Sequence, residues 1–395
     1  MFDVIISGAG LAGASMALAL AKLQKKDGTP LSIAVVEAFA IRDDLALNYD
    51  ARVIALSHGS ACYLKQLGCW QQLKDDAMAI KTIHISDRGH YGKARINAED
   101  FDIQGLGYVA EIQAIGNALI STLKQFDNVT FFAPQTIDHI QWHKQYVEVT
   151  LESGETLSAP LLLGCDGGQS KCRELAKIEC DYSDYQQCAI IANVSTEQAH
   201  QNKAFERFSD SGPIALLPMT DNRSSLVWTV KPEQVAHLLA LSDEDFAAEL
   251  EQEFGAWLGG FSNIGKRFSF PLKLIKANDQ VAHRMALIGN ASHTLHPIAG
   301  QGFNLGMRDV QVFAELFEQT LQSGNDLGDF HNLQNYAKLR AQDHQQVIAL
   351  TDSLVHLFSN QHIPLVVGRN IGLKVLNYIP SLKAAFAGKT MGHFD

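Results

Sequence analysis

Three glycines near the start of the chain have the spacing of a phosphate-binding turn. Gly8, Gly10 and Gly13 form a G-x-G-x-x-G sequence between an apolar run and a stretch rich in Ala and Leu. In a strand–turn–helix unit the first glycine permits the tight turn, the second lets the backbone approach a pyrophosphate, and the third lets helix and strand pack closely. Free N–H groups at the helix N-terminus would stabilise the phosphates. The motif predicts a dinucleotide site.

A carboxylate follows this motif at a suitable distance. Glu37 lies 24 residues after Gly13 (37 minus 13), at the end of the next apolar run. There it can accept hydrogen bonds from both ribose hydroxyls of an adenosine, and it would repel a 2′-phosphate. The alternative is an ordinary glycine-rich turn, and the fingerprint by itself does not distinguish NAD from FAD.

A second motif follows the apolar run Leu161–Gly164. Asp166 would project from the end of a strand towards the pyrophosphate, and Ser170 is a good N-cap for the helix that follows. Because Asp-Gly pairs are frequent in turns, a surface turn is the alternative for this segment.

A third motif runs from Ala286 to Asp309 and favours a flavin. A strand is expected to end at Gly289, a loop crosses with His296 and Pro297, and a helix is expected to begin near Gly302. Backbone donors at such a helix start would stabilise the negative charge of a reduced isoalloxazine. A second dinucleotide fold would need a strand immediately before its glycines, and this loop is not one.

Several side chains near these motifs allow two interpretations. His293 and His296 are three residues apart, which suggests a metal, but no third ligand is apparent and structural hydrogen bonds are the commoner role. We therefore predict no metal site. Phe303 would border the flavin or belong to the core, and Trp228 would line a lipid pocket or pack within a sheet. The residues identify no catalytic base; His296 and Pro297 are the candidates for a flavin-facing loop.

The apolar runs predict an α/β protein with a Rossmann-like core. A β-α-β unit is expected over Phe2–Ser7, Leu11–Lys22 and Ser32–Glu37, and its fully apolar strands suit a parallel sheet covered on both faces. Antiparallel hairpins are expected over 82–96 and 213–230. We divide the chain into an FAD-binding domain in three parts (1–80, 101–180 and 276–340), an inserted antiparallel β-sheet substrate domain (81–100 and 181–275) and a helical C-terminal region (341–395).

Composition excludes several classes of protein. The 395 residues carry 32 Lys and Arg against 43 Asp and Glu, a net charge of -11, which excludes general binding to nucleic acid. No apolar run approaches the roughly 18–20 residues of a membrane span, and the N-terminus lacks the positive flank of a secretory signal. The six cysteines form no C-x-x-C pair, so neither structural zinc nor a disulfide scaffold is expected. We expect a protein of the reducing cytoplasm.

The three motifs, in this order, resemble those of the FAD-dependent aromatic hydroxylases, the flavin monooxygenases typified by p-hydroxybenzoate hydroxylase. The similarity covers the chain to about residue 345 and is most specific over residues 286–309, where it points to the branch that acts in ubiquinone biosynthesis. The resemblance implies a p-hydroxybenzoate hydroxylase-like fold. It also implies these flavin-binding residues: Gly8, Gly10, Gly13, Glu37, Arg52, Gln113, Asp166, Gly289, Asn290, Gly302, Phe303 and Asn304.

Two positions depart from the family's usual pattern. Asn290 stands where most relatives carry an aspartate that accepts a hydrogen bond from the flavin ribityl chain. The carbonyl of Asn can accept the same bond without the charge. His296-Pro297 stands where many relatives carry Pro-Pro. Both departures also fit the ubiquinone branch.

The resemblance further implies FAD as the bound cofactor and NAD(P)H as a transient co-substrate. NAD(P)H would reduce the FAD, O₂ would add to form a flavin hydroperoxide, and its distal oxygen would attack an electron-rich polyprenylated phenol. Asp166 and Arg173 would lie where the phosphates of NAD(P)H pass. The alternatives are an FAD oxidase or reductase on the same fold, a plain NAD dehydrogenase, another aromatic hydroxylase, and a non-catalytic FAD-binding scaffold.

The last segment of the chain combines apolar and basic residues without an acidic one between Asp352 and Asp395. We expect it to contact the inner face of a membrane or another ubiquinone-biosynthesis protein. The alternative is a terminal helix that caps the core with its basic face in water. The local charge of +4 comes from Arg369, Lys374, Lys383 and Lys389.

Overall fold

The computed structural model of the protein describes residues 1–41, 52–295, 300–358 and 362–392. The predicted site residues His296 and Pro297 lie outside these ranges. The strands, numbered in chain order, are β1 (Val4–Ser7), β2 (Ile33–Val36), β3 (Val53–Ser57), β4 (Met78–Ile80), β5 (Thr82–Asp87), β6 (Lys93–Asn97), β7 (Gly107–Glu111), β8 (Val129–Phe132), β9 (Ile137–Trp142), β10 (Val147–Leu151), β11 (Thr156–Ala159), β12 (Leu161–Gly164), β13 (Cys180–Thr196), β14 (Lys203–Ser209), β15 (Gly212–Pro218), β16 (Arg223–Val230), β17 (Phe261–Ile264), β18 (Phe268–Ala277), β19 (Val281–Ala282), β20 (Met285–Leu287) and β21 (His293–Thr294).

Helices lie between the strands in the first part of the chain and follow one another in the last. Short 3-10 turns occur at Ala98–Phe101, Thr220–Asn222 and Gly289–Ala291. The α-helices are α1 (Leu11–Ala21), α2 (His58–Gln66), α3 (Trp70–Leu73), α4 (Ile112–Leu123), α5 (Lys171–Leu175), α6 (Pro232–Ala240), α7 (Asp243–Phe254), α8 (Gln301–Ser323), α9 (Phe330–Phe358), α10 (Ile363–Tyr378) and α11 (Pro380–Met391).

One sheet has six strands in the order β19-β20-β12-β1-β2-β8. The glycine motif follows the carboxyl end of β1, inside this sheet. All its strand pairs are parallel except β19–β20. Alternate side chains of β1 enter two cores: Val4 and Ile6 pack among residues of α1, α4 and α8, whereas Ile5 packs on the three-stranded β9–β10–β11 sheet. Because both faces are covered, these strands are apolar throughout, as predicted.

A nine-stranded sheet in the order β21-β18-β13-β16-β15-β14-β5-β6, with β17 beside β13, forms the second layer. The β5–β6 hairpin joins it through a parallel pairing of β5 with β14. Helices α6 and α7 cover one face, where Trp228 is 3% exposed and packs edge-on against Phe246. Trp228 is therefore a core residue. The opposite face turns towards the three-stranded sheet β3-β7-β4, with Ala204 and Leu217 packed beside Val109.

The C-terminal helices α10 and α11 pack on the β5–β6 hairpin. Leu373 joins the apolar cluster formed by Ile85 and Ile96. The buried guanidinium of Arg369 donates to both carboxylate oxygens of Asp87, with N···O distances of 2.8 and 3.1 Å. One of the four cations counted at the C-terminus is thus committed to an internal ion pair.

Most of the predicted elements are confirmed, with small shifts at their ends. Helix α8 begins at Gln301, beside the predicted start at Gly302, and both predicted hairpins form. The strand expected to reach Gly289 stops at Leu287, because Gly289 has a φ of +61° and opens a 3-10 turn. Within the described residues, no helix has both the length and the apolar character needed to cross a bilayer.

We expect Asp87→Ala to unfold at a markedly lower urea concentration than the wild type. The substitution leaves a buried guanidinium without its partner, and breaking a buried ion pair costs about 3–5 kcal/mol. Asp100→Ala is the matched control, because its pair with Lys383 is partly exposed and such pairs contribute about 0–1 kcal/mol. Equal midpoints for the two variants would contradict the role of Arg369 as the anchor of α10.

Candidate cofactor site

The glycine turn between β1 and α1 has the close contacts that its motif requires. Gly8 has a φ of +96°, and a Cβ there would lie 2.6 Å from the carbonyl oxygen of Cys165. A Cβ on Gly13 would collide with the carbonyl oxygen of Gly8, whereas a Cβ on Gly10 would meet no atom within 4 Å. Gly8 and Gly13 are therefore required by protein packing. Gly10 borders the open cradle that a pyrophosphate needs.

Glu37 lies against this turn. Its Oε2 accepts a hydrogen bond from the backbone N–H of Ala9 at 2.6 Å, and its Oε1 accepts one from Phe39 at 3.0 Å. These bonds orient the carboxylate beside the cradle, and each oxygen retains a lone pair for a ribose hydroxyl.

Asp166 and its neighbours form a capped helix start after the carboxyl end of β12, the strand beside β1. The carboxylate of Asp166 accepts bonds from the Ser170 hydroxyl at 2.5 Å and from the backbone N–H of Cys172 at 3.0 Å. Ser170 caps α5 as predicted, through a bond from the Arg173 N–H. The Arg173 guanidinium is buried and donates to the carbonyls of Gly168 and Ala291, which argues against the expected contact with phosphates of NAD(P)H.

Arg52 and Gln113 meet at one end of the β3–β7 pair. The carbonyl of Arg52 accepts a bond from the N–H of Ile112 at 2.8 Å, and Gln113 follows in the first turn of α4. Next to them, Glu111 pairs with Arg223 of the nine-stranded sheet at 3.1 Å. The structure thus brings two predicted flavin residues together and joins them to the substrate sheet.

The start of α8 is held by Asn304. Its Oδ1 accepts bonds from the Ser57 N–H and the Ser60 hydroxyl, both at 2.8 Å, and its Nδ2 donates to the carbonyls of Ala55 and Gly300. The side chain of Asn304 is therefore fully used within the protein. It positions the helix whose N-terminus was expected to face the flavin.

Gly302 and Phe303 occupy the first turn of α8. Among the described residues, a Cβ on Gly302 would meet nothing within 4 Å, so the side-chain position of Gly302 lies beside open space. Phe303 is partly buried and packs against the core of the six-stranded sheet. Phe303 was expected either to border the flavin or to belong to the core, and the structure shows a contact with the core.

Asp309 has no role in the sequence predictions, yet this buried carboxylate organises the third motif. Its Oδ2 accepts a bond from the Gly289 N–H at 3.2 Å, and its Oδ1 accepts bonds from Arg340 and His344 of α9, each at 2.7 Å. Burial by itself would raise the pKa of the Asp309 carboxyl, but the bond and charge of His344 lower it below its usual range. Asn290, next to Gly289, is exposed at the surface of this turn.

His293 belongs to the same cluster. Its Nδ1 lies 3.7 Å from Asp309, and its ring contacts that of His344. Three residues whose side chains can bind a metal therefore come together, namely His293, Asp309 and His344, which the sequence interpretation did not foresee. Arg340 already supplies a cation to Asp309, and burial lowers the pKa of His293 to about 3, so a buried ion pair and a neutral His293 occupy the centre of this cluster.

These features fit an FAD. The Gly10 cradle suits the pyrophosphate, the oriented Glu37 carboxylate suits the adenosine ribose, and the open start of α8 beside Gly302 suits an isoalloxazine. Arg52 and Gln113 lie at the neighbouring strand end. The contacts of each residue with the flavin stay predictions.

Comparisons with known proteins agree with this fit. A family model described as an FAD binding domain matches residues 1–351. The chain is 38% identical to "Ubiquinone hydroxylase UbiL" of Rhodospirillum rubrum, over 99% of this chain and 89% of that protein. It is 31% identical to human "Ubiquinone biosynthesis monooxygenase COQ6, mitochondrial", over 98% of this chain and 93% of that protein.

Solved structures share the fold at low sequence identity. The p-nitrophenol 4-monooxygenase PnpA from Pseudomonas putida DLL-E4 has a TM-score of 0.80 and 16% identity, covering 100% of this chain and 99% of its own. Klebsiella pneumoniae HpxO, complexed with FAD and uric acid, has a TM-score of 0.73 and 16% identity, covering 96% of both chains. The predicted fold class, an α/β FAD-binding monooxygenase of the p-hydroxybenzoate hydroxylase type, is confirmed.

We expect Glu37→Ala to weaken FAD binding far more than Asn290→Asp does. Loss of the carboxylate leaves ribose hydroxyls without their acceptor, and hydrogen bonds to charged groups contribute about 1.5–3 kcal/mol. Asn290→Asp restores the acceptor that most relatives carry, so it serves as the control. Flavin fluorescence titration of the apoproteins gives both dissociation constants; an unchanged value for Glu37→Ala would place the adenosine elsewhere.

Proposed function

The chain belongs to the FAD-binding family of aromatic-ring monooxygenases, and from that premise we propose that it hydroxylates a polyprenylated phenol on the route to ubiquinone. The observation that carries this proposal is the whole-length similarity to two proteins, one named a ubiquinone hydroxylase and the other a ubiquinone biosynthesis monooxygenase. The motif run over residues 286–309 supports the same branch independently.

Within this function the bound FAD supplies the redox chemistry, taking electrons from NAD(P)H and activating O₂. The chain's own part is to bind and orient. The Gly10 turn and Glu37 would hold the adenosine diphosphate half, and the α8 N-terminus would stabilise negative charge near Gly302. The Arg223–Glu111 pair joins the substrate sheet to the strand end that carries Gln113. This pair would keep the phenol and the flavin at one separation.

For the substrate we propose 2-octaprenyl-6-methoxyphenol, on the similarity of the 286–309 segment to the hydroxylase of that compound. The names of the relatives give no ring position, so another ubiquinone-pathway ring carbon is the first alternative. A non-catalytic FAD-binding scaffold in a quinone-synthesis assembly is the second.

Quinone profiling of a strain that lacks this protein tests the proposal. We expect the strain to accumulate the phenol that is the substrate of this step and to lose ubiquinone. Complementation with the wild type should restore ubiquinone, and complementation with Glu37→Ala should restore less. Accumulation of a later, methylated intermediate would name a different ring position, and an unchanged quinone pool would contradict the function.

We also propose that α10 contacts the bilayer in which such a substrate dissolves. The helix buries Asn370 and Leu373 against the hairpin and turns a broad apolar face outward. Because Arg369 is buried and Lys383 pairs with Asp100, the positive charge expected at the C-terminus is reduced. The outward face of α10 is largely apolar and also carries the exposed Lys374. Its exposed large residues are Leu365, Val367, Ile371, Val375 and Tyr378.

We expect Ile371→Glu to reduce co-sedimentation with vesicles of phosphatidylcholine and phosphatidylglycerol, while the folded state is retained. Ile371 is 56% exposed, so a charge there costs little in water and more at an apolar lipid boundary. Leu339→Glu, on α9 and 53% exposed, is the matched control. Equal sedimentation of wild type and Ile371→Glu would contradict a lipid contact at this face. Truncation near residue 360 is a poorer test, because it removes Arg369 and Leu373 from the core.

A further inference from the structure

One carboxylate on the substrate sheet has no role in the proposed function. Glu206 lies in the middle of β14, between Phe205 and Arg207, whose side chains face α7. Side chains alternate along a strand. Glu206 therefore shares the opposite face with Ala204 and Phe208, which pack towards the β3–β7 pair and α10 respectively.

This face is the one that meets the flavin-binding half of the molecule. Ala204 packs with Val109 of β7, and Arg223 on the same face pairs with Glu111 at the end of β7. Gln113, a predicted flavin residue, lies two positions beyond Glu111. Glu206 is thus on the wall that a substrate placed beside the flavin would touch.

The surroundings of Glu206 on this wall are apolar. Its register neighbours are Ile85 on β5 and Ala215 on β15, and the same row continues through Val227 and Ile191. All of these except Ile85 are only partly buried, in contrast to the sealed face under α6 and α7. We call this row the apolar floor; Glu206 is the single acid among its five residues.

Charged groups nearby do not compensate this acid. Among the described residues, two cations lie along this wall, and each already pairs with another carboxylate: Arg369 pairs with Asp87, and Arg223 pairs with Glu111. In the described part of the chain no side-chain or backbone donor bonds to the carboxylate of Glu206. Burial raises the pKa of the Glu206 carboxyl to about 7. Glu206 is half-buried, and a desolvated acid without a partner is costly to maintain, which points to a bound group as its partner.

We propose that Glu206 is the catalytic base, accepting the hydroxyl proton of the phenol; the proposal rests on the proposed function. The O–H bond of the phenol breaks, its electron pair stays on the phenolic oxygen, and the proton forms a new O–H bond on the Glu206 carboxylate. No oxidant is consumed in this step. The phenolate has more electron density on its ring, at the positions where an oxygen atom is inserted. The apolar floor would take the aliphatic part of the ligand.

Binding of a phenol and of its O-methyl ether tests the contact. The probes are 2-geranyl-6-methoxyphenol and its methyl ether, titrated against oxidised, FAD-loaded protein by the change in flavin absorbance. Wild type should prefer the phenol by about tenfold to a hundredfold, as expected for a hydrogen bond to a charged group. Glu206→Leu should lose this preference, and Glu206→Gln should keep part of it, because the amide oxygen still accepts. A full preference in Glu206→Leu would overturn the contact.

The pH dependence of turnover tests the proton transfer. Because the base must be deprotonated, the wild-type rate should rise with pH through about 7, the pKa that burial gives Glu206. Glu206→Gln should lose this limb and about 10²–10⁴ in rate, the usual contribution of a general base. Glu233→Gln, an exposed acid on α6, is the control and should match the wild type.

Thermal melting provides a readout that is independent of activity. With a folded-state pKa above its unfolded value, the Glu206 carboxyl destabilises the fold as pH rises from about 4.5 to about 7. Glu206→Gln should therefore melt above wild type at pH 8 and close to it near pH 4.5. If wild type and Glu206→Gln have equal melting temperatures at both pH values, the Glu206 carboxylate is not desolvated in the folded protein. If wild type hydroxylates the phenol and Glu206→Gln does so at the same rate, Glu206 is not the base, but the proposed function stands. If wild type neither binds nor converts the phenol, the proposed function is overturned as well.

Discussion

The hydrogen bonds of the buried Asp309 carboxylate are the interaction on which the positions of α8, α9 and the Gly289 turn depend. The carboxylate holds the Gly289 N–H at the end of the six-stranded sheet and receives Arg340 and His344 from α9. Since Asp309 itself lies in α8, one side chain joins the 3-10 turn that begins at Gly289 to both long helices, α8 and α9. The N-terminus of α8 is secured separately by Asn304. A helix dipole can stabilise flavin charge only if its position is fixed in this way.

The two faces of the nine-stranded sheet differ in what covers them. Helices α6 and α7 seal one face, where Trp228, Phe246 and Leu250 form a compact core. The other face is joined to the nucleotide-binding half by Arg223–Glu111, and to α10 by Arg369–Asp87. Between these two ion pairs lies an apolar, partly open floor. A long prenyl chain and an aromatic ring need such a floor, since burial of apolar area supplies most of their binding free energy.

Local motifs in the sequence predicted the β-α-β opening, the hairpins, the start of α8 and the cap at Ser170, because each depends on residues within one or two turns of the chain. Contacts between distant segments were not predictable in this way. Arg340 and His344 lie more than thirty residues after Asp309, and only their four-residue spacing hints at a shared helix face. Glu206 was missed because an acid in an alternating strand usually faces water, and only strand pairing shows which face it occupies. Arg173 was misplaced because a motif does not show whether a guanidinium turns inward.

Isotope labelling of the oxygen tests the central claim, that this chain uses a bound FAD to hydroxylate a phenol. Purified, FAD-loaded protein is supplied with NAD(P)H, a short-chain 2-prenyl-6-methoxyphenol and ¹⁸O₂, and the product is analysed by mass spectrometry. We expect a product that carries one ¹⁸O atom, formed only when phenol and NAD(P)H are both present. Consumption of NAD(P)H that yields hydrogen peroxide and leaves the phenol unlabelled would contradict this claim.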